Sequence, residues 1–329
     1  MSKARLLIVI GCIVIANMVV FTGVARAAYP ERDITIVNMA ETGLTTDVLV
    51  RALIIGANKY MGRQFIVEAK PGSGGMLAAS LVSAAKPDGY TLFSGASTTM
   101  IEGPLMQKAP YKPLKSFTPI TAFALSEHTA TAVAPDAPWK TFVEFVDYVK
   151  KNPGKVKLGI SHGSGMHIAM EYVRAQSGAQ WVNVPYTSSG PATTDVMGHH
   201  IDAVAMGSNW PDFVEAGQLR VLVTHGKTRS PRGPNIPNLI ELGYNYAGQV
   251  YQTILGPAGL PQDVVAKLET AFTKGQETPE FKSAMDKLYQ TQVNLGSKEL
   301  GNALRERWAL QEKLFKQFGI IKEAATQPE

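Results

Sequence analysis

Short apolar, β-branched runs alternate along this chain with longer segments whose apolar residues recur every three or four positions. The runs Ile34–Val37, Phe65–Glu68, Thr91–Gly95, Lys155–Ile160, Trp181–Val184, Ala203–Met206, Leu219–Thr224 and Gln249–Leu255 predict strands. Two further short apolar runs lie within Ile120–Ala134. Helical spacing predicts Val48–Met61, Met76–Ala85, Phe142–Lys151, a helix ending near Gln176 and one starting at Ala192. Pro261–Lys274, Pro279–Tyr289 and Ser297–Phe318 close the chain as three amphipathic helices. Strand–loop–helix alternation of this kind argues for α/β lobes with mainly parallel sheets, whose ligand sites lie beyond the strand C-terminal ends. The polar stretch around Ser126-Glu127-His128 is where the chain is expected to cross between lobes, and Gln249–Leu255 is where it returns. The expected division is residues 28–128 with 249–329 in lobe 1, and 129–248 in lobe 2.

Four loops between strand and helix share one chemistry. Asn38–Asp47, Ser94–Met100, Ser161–His167 and Thr187–Asp195 are rich in Ser, Thr and Gly and contain no Lys or Arg. In the fourth, Pro185-Tyr186 leads through Thr187, Ser188 and Ser189 to Gly190-Pro191 and a helix. Proline suits the first helical turn, where its missing N–H breaks no bond. Such a helix start presents unpaired backbone N–H groups and attracts anions without a cationic side chain. A serine there can equally be a simple helix cap, but four such loops favour a shared ligand site. The candidate ligand-binding residues are Ala40, Glu41, Thr42, Gly43, Thr45 and Asp47 in the first loop and Ser97 and Thr98 in the second. Ser161, Gly163, Ser164 and His167 stand in the third, Thr187, Ser188 and Ser189 in the fourth, and Asn209 in the polar turn after Ala203–Met206. Each helix start beside an anion contributes roughly 0.3–2 kcal/mol. Several together are compatible with micromolar binding, about −8 kcal/mol.

The N-terminal residues change the picture of charge and compartment. Lys3 and Arg5 precede an apolar run from Leu6 to Ala25, and Ala25-Arg26-Ala27 offers a small-x-small cleavage site. Residues 1–27 are therefore expected to be a cleaved export signal, the alternative being an uncleaved anchor. The formal charge is +5. Cleavage takes Lys3, Arg5 and Arg26 and no acid, leaving 29 basic against 27 acidic residues and a charge near +2. The only cysteine, Cys12, leaves with the signal, so no disulfide framework and no thiol chemistry remain. A periplasmic protein of two lobes fits these features. No basic stripe with interleaved aromatics supports nucleic-acid binding.

Motifs that could carry other chemistry fail on detail. Lys70–Gly75 lacks the phosphate-loop pattern, and Leu77 stands where the third glycine of a dinucleotide loop belongs, so it reads as a tight turn. Ser164 lies near His162 and His167, but His162 occupies the first glycine of a nucleophile elbow, and neighbours in sequence do not make a triad. His199, His200 and Asp202 do not converge as metal ligands merely by adjacency. His128 and Trp139 read as structural. Neither a catalytic residue nor a metal or other cofactor is expected.

The chain resembles the Bug family, the periplasmic solute-binding proteins of tripartite tricarboxylate transporters. The resemblance rests on the Tyr29-Pro30 start, E-A-K-P-G-S-G-G at Glu68–Gly75, P-D-G-Y-T-L at Pro87–Leu92, P-Y-x-S-x-x-P-A-x-x-D from Pro185 to Asp195, and G-P-A-G-L-P at Gly256–Pro261. It covers nearly all of Tyr29–Ile320. It implies two α/β lobes of the type II periplasmic binding fold that close on a carboxylate held by loop amides and waters. It also implies a membrane permease as partner. The first loop departs from the family's P-F-x-x-G-G-x-x-D run: Ala40 replaces the aromatic, Leu44 the second glycine, and Glu41 adds a negative charge. Ala40 implies a pocket wide enough for an aromatic acid, and Glu41 an unfavourable neighbour for a dianion unless it points away.

The expected function is periplasmic capture of a small carboxylate or related metabolite by a monomer that delivers it to the permease. A sensor subunit signalling to a membrane receptor and an exported hydrolase using Ser164 are the alternatives.

Overall fold

The computed structural model describes residues 29–161, 164–186, 188–317 and 319–329. The export-signal expectation falls on residues 1–27, outside them, as do two candidate ligand residues, Gly163 and Thr187. The strands are β1 (Ile34–Asn38), β2 (Phe65–Ala69), β3 (Thr91–Ala96), β4 (Phe117–Ser126), β5 (Ala130–Val133), β6 (Lys157–Ser161), β7 (Val182–Tyr186), β8 (Ala203–Met206), β9 (Arg220–Thr224), β10 (Val250–Pro257) and β11 (Thr291–Leu295). The helices are α1 (Thr45–Met61), α2 (Met76–Ser83), α3 (Glu102–Met106), α4 (Phe142–Lys151), α5 (Gly165–Ser177), α6 (Ser189–Met197), α7 (Trp210–Glu215), α8 (Gln262–Gln276), α9 (Pro279–Lys287) and α10 (Ser297–Gln317). No helix among the described residues is long and apolar enough to cross a membrane.

Two sheets result, ordered β11-β4-β10-β3-β1-β2 and β7-β6-β8-β5-β9. Each is flanked by helices, giving the two-lobed α/β architecture the alternation implies. Both sheets are mixed, a correction to the mainly parallel expectation. Parallel pairs occur where a helix carries the chain back within a lobe, as in β1–β2 and β6–β7. Strands that enter from the other lobe pair antiparallel instead: β10 with β3 and β4, and β5 with β8 and β9.

The helices bury the faces their periodicity indicates. Leu49, Val50, Leu53 and Ala57 of α1 sit in one core with Ile34, Ile36, Phe272 and Phe281. Gly62 ends α1 in the left-handed region and donates its N–H to Asn58 O. Thr141 and Glu144 form a capping box at the start of α4. Trp139 is core, its ring 5.2 Å from that of Phe145. The glycine-rich turn after β2 is also structural. Gly75 has φ 92°, and a Cβ there would lie 2.6 Å from Thr99 Oγ1. That closeness lets Thr99 Oγ1 donate to Gly74 O at 2.9 Å, tying this turn to the second loop.

The chain crosses between sheets at Glu127–Thr129 and returns through residues 225–249. These crossovers run side by side. His225 N donates to Thr129 O, and Gly248 N to His225 O, each at 2.8 Å. The fully buried His225 ring lies 3.0 Å from Thr129 Oγ1 and 2.9 Å from Thr131 Oγ1.

Candidate ligand-binding cleft

A cleft of about 260 Å³ opens between the two lobes. Thr45, Thr98, Ser126, Val250, Gln252 and Gln290 line it from the first, and Thr129, Ser164, Gly165, Met166, Gly207 and Ser208 from the second, with Gly248 on the returning crossover. Every one of these side chains is uncharged.

The start of α5 supplies its clearest anion-binding feature. Ser164 is the N-cap, with extended backbone, and its Oγ accepts the His167 N–H at 3.2 Å. The first N–H groups of a helix have no intrahelical acceptor, and those of Gly165 and Met166 belong to residues that line the cleft. The helix dipole adds partial positive charge at the same place. A Cβ on Gly165 would lie 3.2 Å from Val250 Cγ2, so glycine allows this helix start to approach β10 across the cleft.

Locks behind the walls hold the other loops. Asp47, at the first turn of α1, accepts the Gly43 N–H at 3.0 Å, Asn38 Nδ2 at 3.3 Å and Arg51 Nε at 2.9 Å. Burial alone would raise its carboxyl. The bonds from Arg51, Gly43 and Asn38, with the Arg51 charge, outweigh that and hold it below the usual carboxylate range. Ser97 Oγ, buried, accepts the Tyr251 N–H at 3.1 Å and fixes the second loop to β10. In the fourth loop the Tyr186 hydroxyl donates to Asp195, and this bond pushes the phenol up to about 12, burial adding to it.

A cleft of this chemistry between two α/β lobes agrees with what the chain is similar to. The model of the family described as tripartite tricarboxylate transporter family receptor matches residues 49–321. The chain belongs to that family. Among its relatives, the UPF0065 protein in the gbd 5' region of Cupriavidus necator is 32% identical over 297 residues, which are 89% of this chain and 90% of that one. The solved periplasmic binding protein BugD is 27% identical, with a TM-score of 0.76 over 89% of this chain and 99% of its own. A protein of R. palustris solved with adipate is 23% identical and shares the fold, with a TM-score of 0.78 over 88% and 98% of the two chains.

The receptor brings Thr45, Thr98 and Ser164 together in its cleft. Other residues of the same loops stand elsewhere. Asp47 and Ser97 serve as the interior locks. Ala40 is half-buried, its carbonyl taking Asn38 Nδ2, while Glu41, Thr42 and Gly43 are exposed and do not line the cleft. Neither Ala40 nor Glu41 is among the described residues that line the cleft. Ser161 ends β6 and accepts the Ser164 N–H. Ser189 Oγ and Asn209 Oδ1 both flank Gly207, which lines the cleft, and Ser188 is exposed at the start of α6.

His167 faces away, into a second cavity of about 430 Å³ with Glu171, Arg174 and Asn183. Burial would raise the Glu171 carboxyl, but hydrogen bonds from His167 and Asn183 and the Arg174 charge hold it low. This is a buried ion cluster rather than part of the cleft.

Sequence reasoning missed Gln252, Gln290, Ser126 and Thr129. The first lies within a run read as an apolar strand, where the polar Gln252-Thr253 pair was the one available signal. Gln290 belongs to the connection into β11, whose Thr291–Leu295 segment has too weak an alternation to stand out. Ser126 and Thr129 flank the crossover, and only the meeting of the lobes gives them a wall to form.

Proposed function

We propose that this receptor captures a small carboxylate in the periplasm and delivers it to the permease of a tripartite transporter. The observation that carries the reading is a cleft whose described lining is uncharged, walled by hydroxyls and amides, into which α5 directs its N-terminus. Neutral donors already in place hold an anion without the desolvation cost of a buried cation. Binding without turnover follows from the same composition. Ser164 Oγ is engaged in capping α5, and among the described residues that line the cleft there is no carboxylate or imidazole to act as general base. Residues 28–128 with 249–329 form one moving half and 129–248 the other, joined by the paired crossovers. Residues 1–27 direct export and are removed, and the mature chain acts as a monomer.

Calorimetric titration of the mature protein with adipate, succinate, malate and benzoate tests the reading. At least one acid should bind at micromolar concentration, about −8 kcal/mol, and should compact the protein in small-angle scattering. Absence of heat across the whole panel would sink it.

A further inference from the structure

One amide in the cleft is anchored at one end and open at the other. Gln252 Oε1 accepts the Thr46 hydroxyl at 3.0 Å. Its Nε2 has no acceptor among the described residues and is not one of the sealed polar atoms that lack a partner, although the residue as a whole is only 5% exposed. Gln290, the other glutamine of the wall, is committed at both ends: its Oε1 accepts Ser126 Oγ, and its Nε2 donates to Leu288 O at 2.8 Å. Among the described residues that line the cleft, Gln252 is therefore the side-chain amide with both N–H groups open, whereas Gln290 has spent one of its two on Leu288 O.

Its position relative to α5 gives this donor a role. Val250 and Gln252 both line the cleft and lie two residues apart on β10, so they share a face. Val250 is the residue against which the Gly165 end of α5 rests. Two residues of strand span about 7 Å, the length of a short carbon chain rather than of one carboxylate. The two donor sets also come from opposite lobes.

We infer that Gln252 is a specificity-determining residue: its NH₂ takes a second acceptor group, at the end of the ligand remote from the carboxylate seated on α5. This deepens the carboxylate-receptor reading and rests on it. Thr46 is a positioning residue, because its hydroxyl holds the Oε1 side and so turns the NH₂ toward the ligand. The favoured class is an acid with a distal oxygen acceptor, a second carboxylate above all, and not a simple fatty acid.

The test is calorimetry on the mature protein with two matched pairs, adipate with hexanoate and succinate with butyrate. Wild type should bind one diacid at least tenfold more tightly than its monoacid. Gln252→Met should weaken that diacid about tenfold or more, as expected for a lost hydrogen bond to a charged group, and change the monoacid less than twofold. Gln252→Glu, which retains an acceptor for Thr46 but places a like charge at the ligand, should weaken the diacid further still. Thr46→Val should give an intermediate loss confined to the diacid, which a merely structural change would not do. Thermal unfolding of each variant identifies any that fails to fold, and the remaining variants then decide. Wild type that binds none of these four acids and neither malate nor benzoate overturns the carboxylate reading and this assignment with it, whereas wild type that binds benzoate but no diacid overturns the assignment alone. Wild type that binds without preferring the diacid, variants that lose diacid and monoacid equally, or a Gln252→Glu protein that keeps its diacid affinity overturns the assignment alone.

Discussion

Asp47 shows how a residue can be marked by the sequence for the right place and a different task. Its position at the first turn of α1 was legible, but its carboxylate turns inward to collect Gly43 N–H, Asn38 and Arg51. Arg51 makes the largest lowering contribution, but it is half-exposed, so solvent screens it and the effect on stability stays modest. Asp47→Asn should cost about 1–2 kcal/mol in urea unfolding at neutral pH. The folded-state carboxyl is depressed, so this contribution is present above the unfolded value and is lost as pH falls through the lower folded one. The gap between wild type and Asp47→Asn should therefore close below about pH 4. A gap independent of pH would mean that shape, not charge, sets it. Gln252 is the converse case. Nothing in a single strand-like run tells that one polar residue has an open cleft in front of it.

At the scale of the element, α5 is the part on which the anion site depends. Its cap, Ser164, was recognisable, because a serine before a helical run has a limited set of uses. That Gly165 must be small was not, since the reason is Val250, 85 residues further along the chain. Gly165→Ala would place a methyl 3.2 Å from Val250 Cγ2 and push the helix start back from β10. Ligand affinity should fall several-fold while stability changes by less than about 1 kcal/mol, because alanine also favours the helix. Equal affinity in calorimetry would show that the approach of α5 to β10 does not matter for binding. The mixed sheets illustrate the same limit: β–α–β alternation reveals the parallel pairs, whereas antiparallel partners such as β10 and β4 meet only after the chain has visited the other lobe.

For the whole molecule, the paired crossovers are decisive. His225 sits fully buried between them, its ring beside Thr129 and Thr131, and burial pushes it down to about 3. Its unfolded counterpart titrates near pH 6.5. The stability this neutral ring contributes is fully present above that value and is lost progressively as pH falls toward 3, by roughly 1.4 kcal/mol per pH unit. Urea unfolding between pH 6.5 and 4 should therefore show a shallower acid loss in His225→Gln than in wild type, and parallel curves would place the acid sensitivity elsewhere. Beside the crossovers the lobes also touch through Tyr289, which donates to Asp212, and through Arg232 Nη2 and Asp286 Oδ1 at 2.9 Å. The sequence by itself determined the alternation of strands and helices, the capped helix starts and the lack of cationic residues in the four loops. These are local, because periodicity, capping and turn chemistry act within a few residues. Only the tertiary structure decided which hydroxyls face the ligand, which carboxylates turn inward and which glutamine keeps both N–H groups open. Those choices depend on the surface each residue meets, and here that surface belongs to segments dozens to hundreds of residues away.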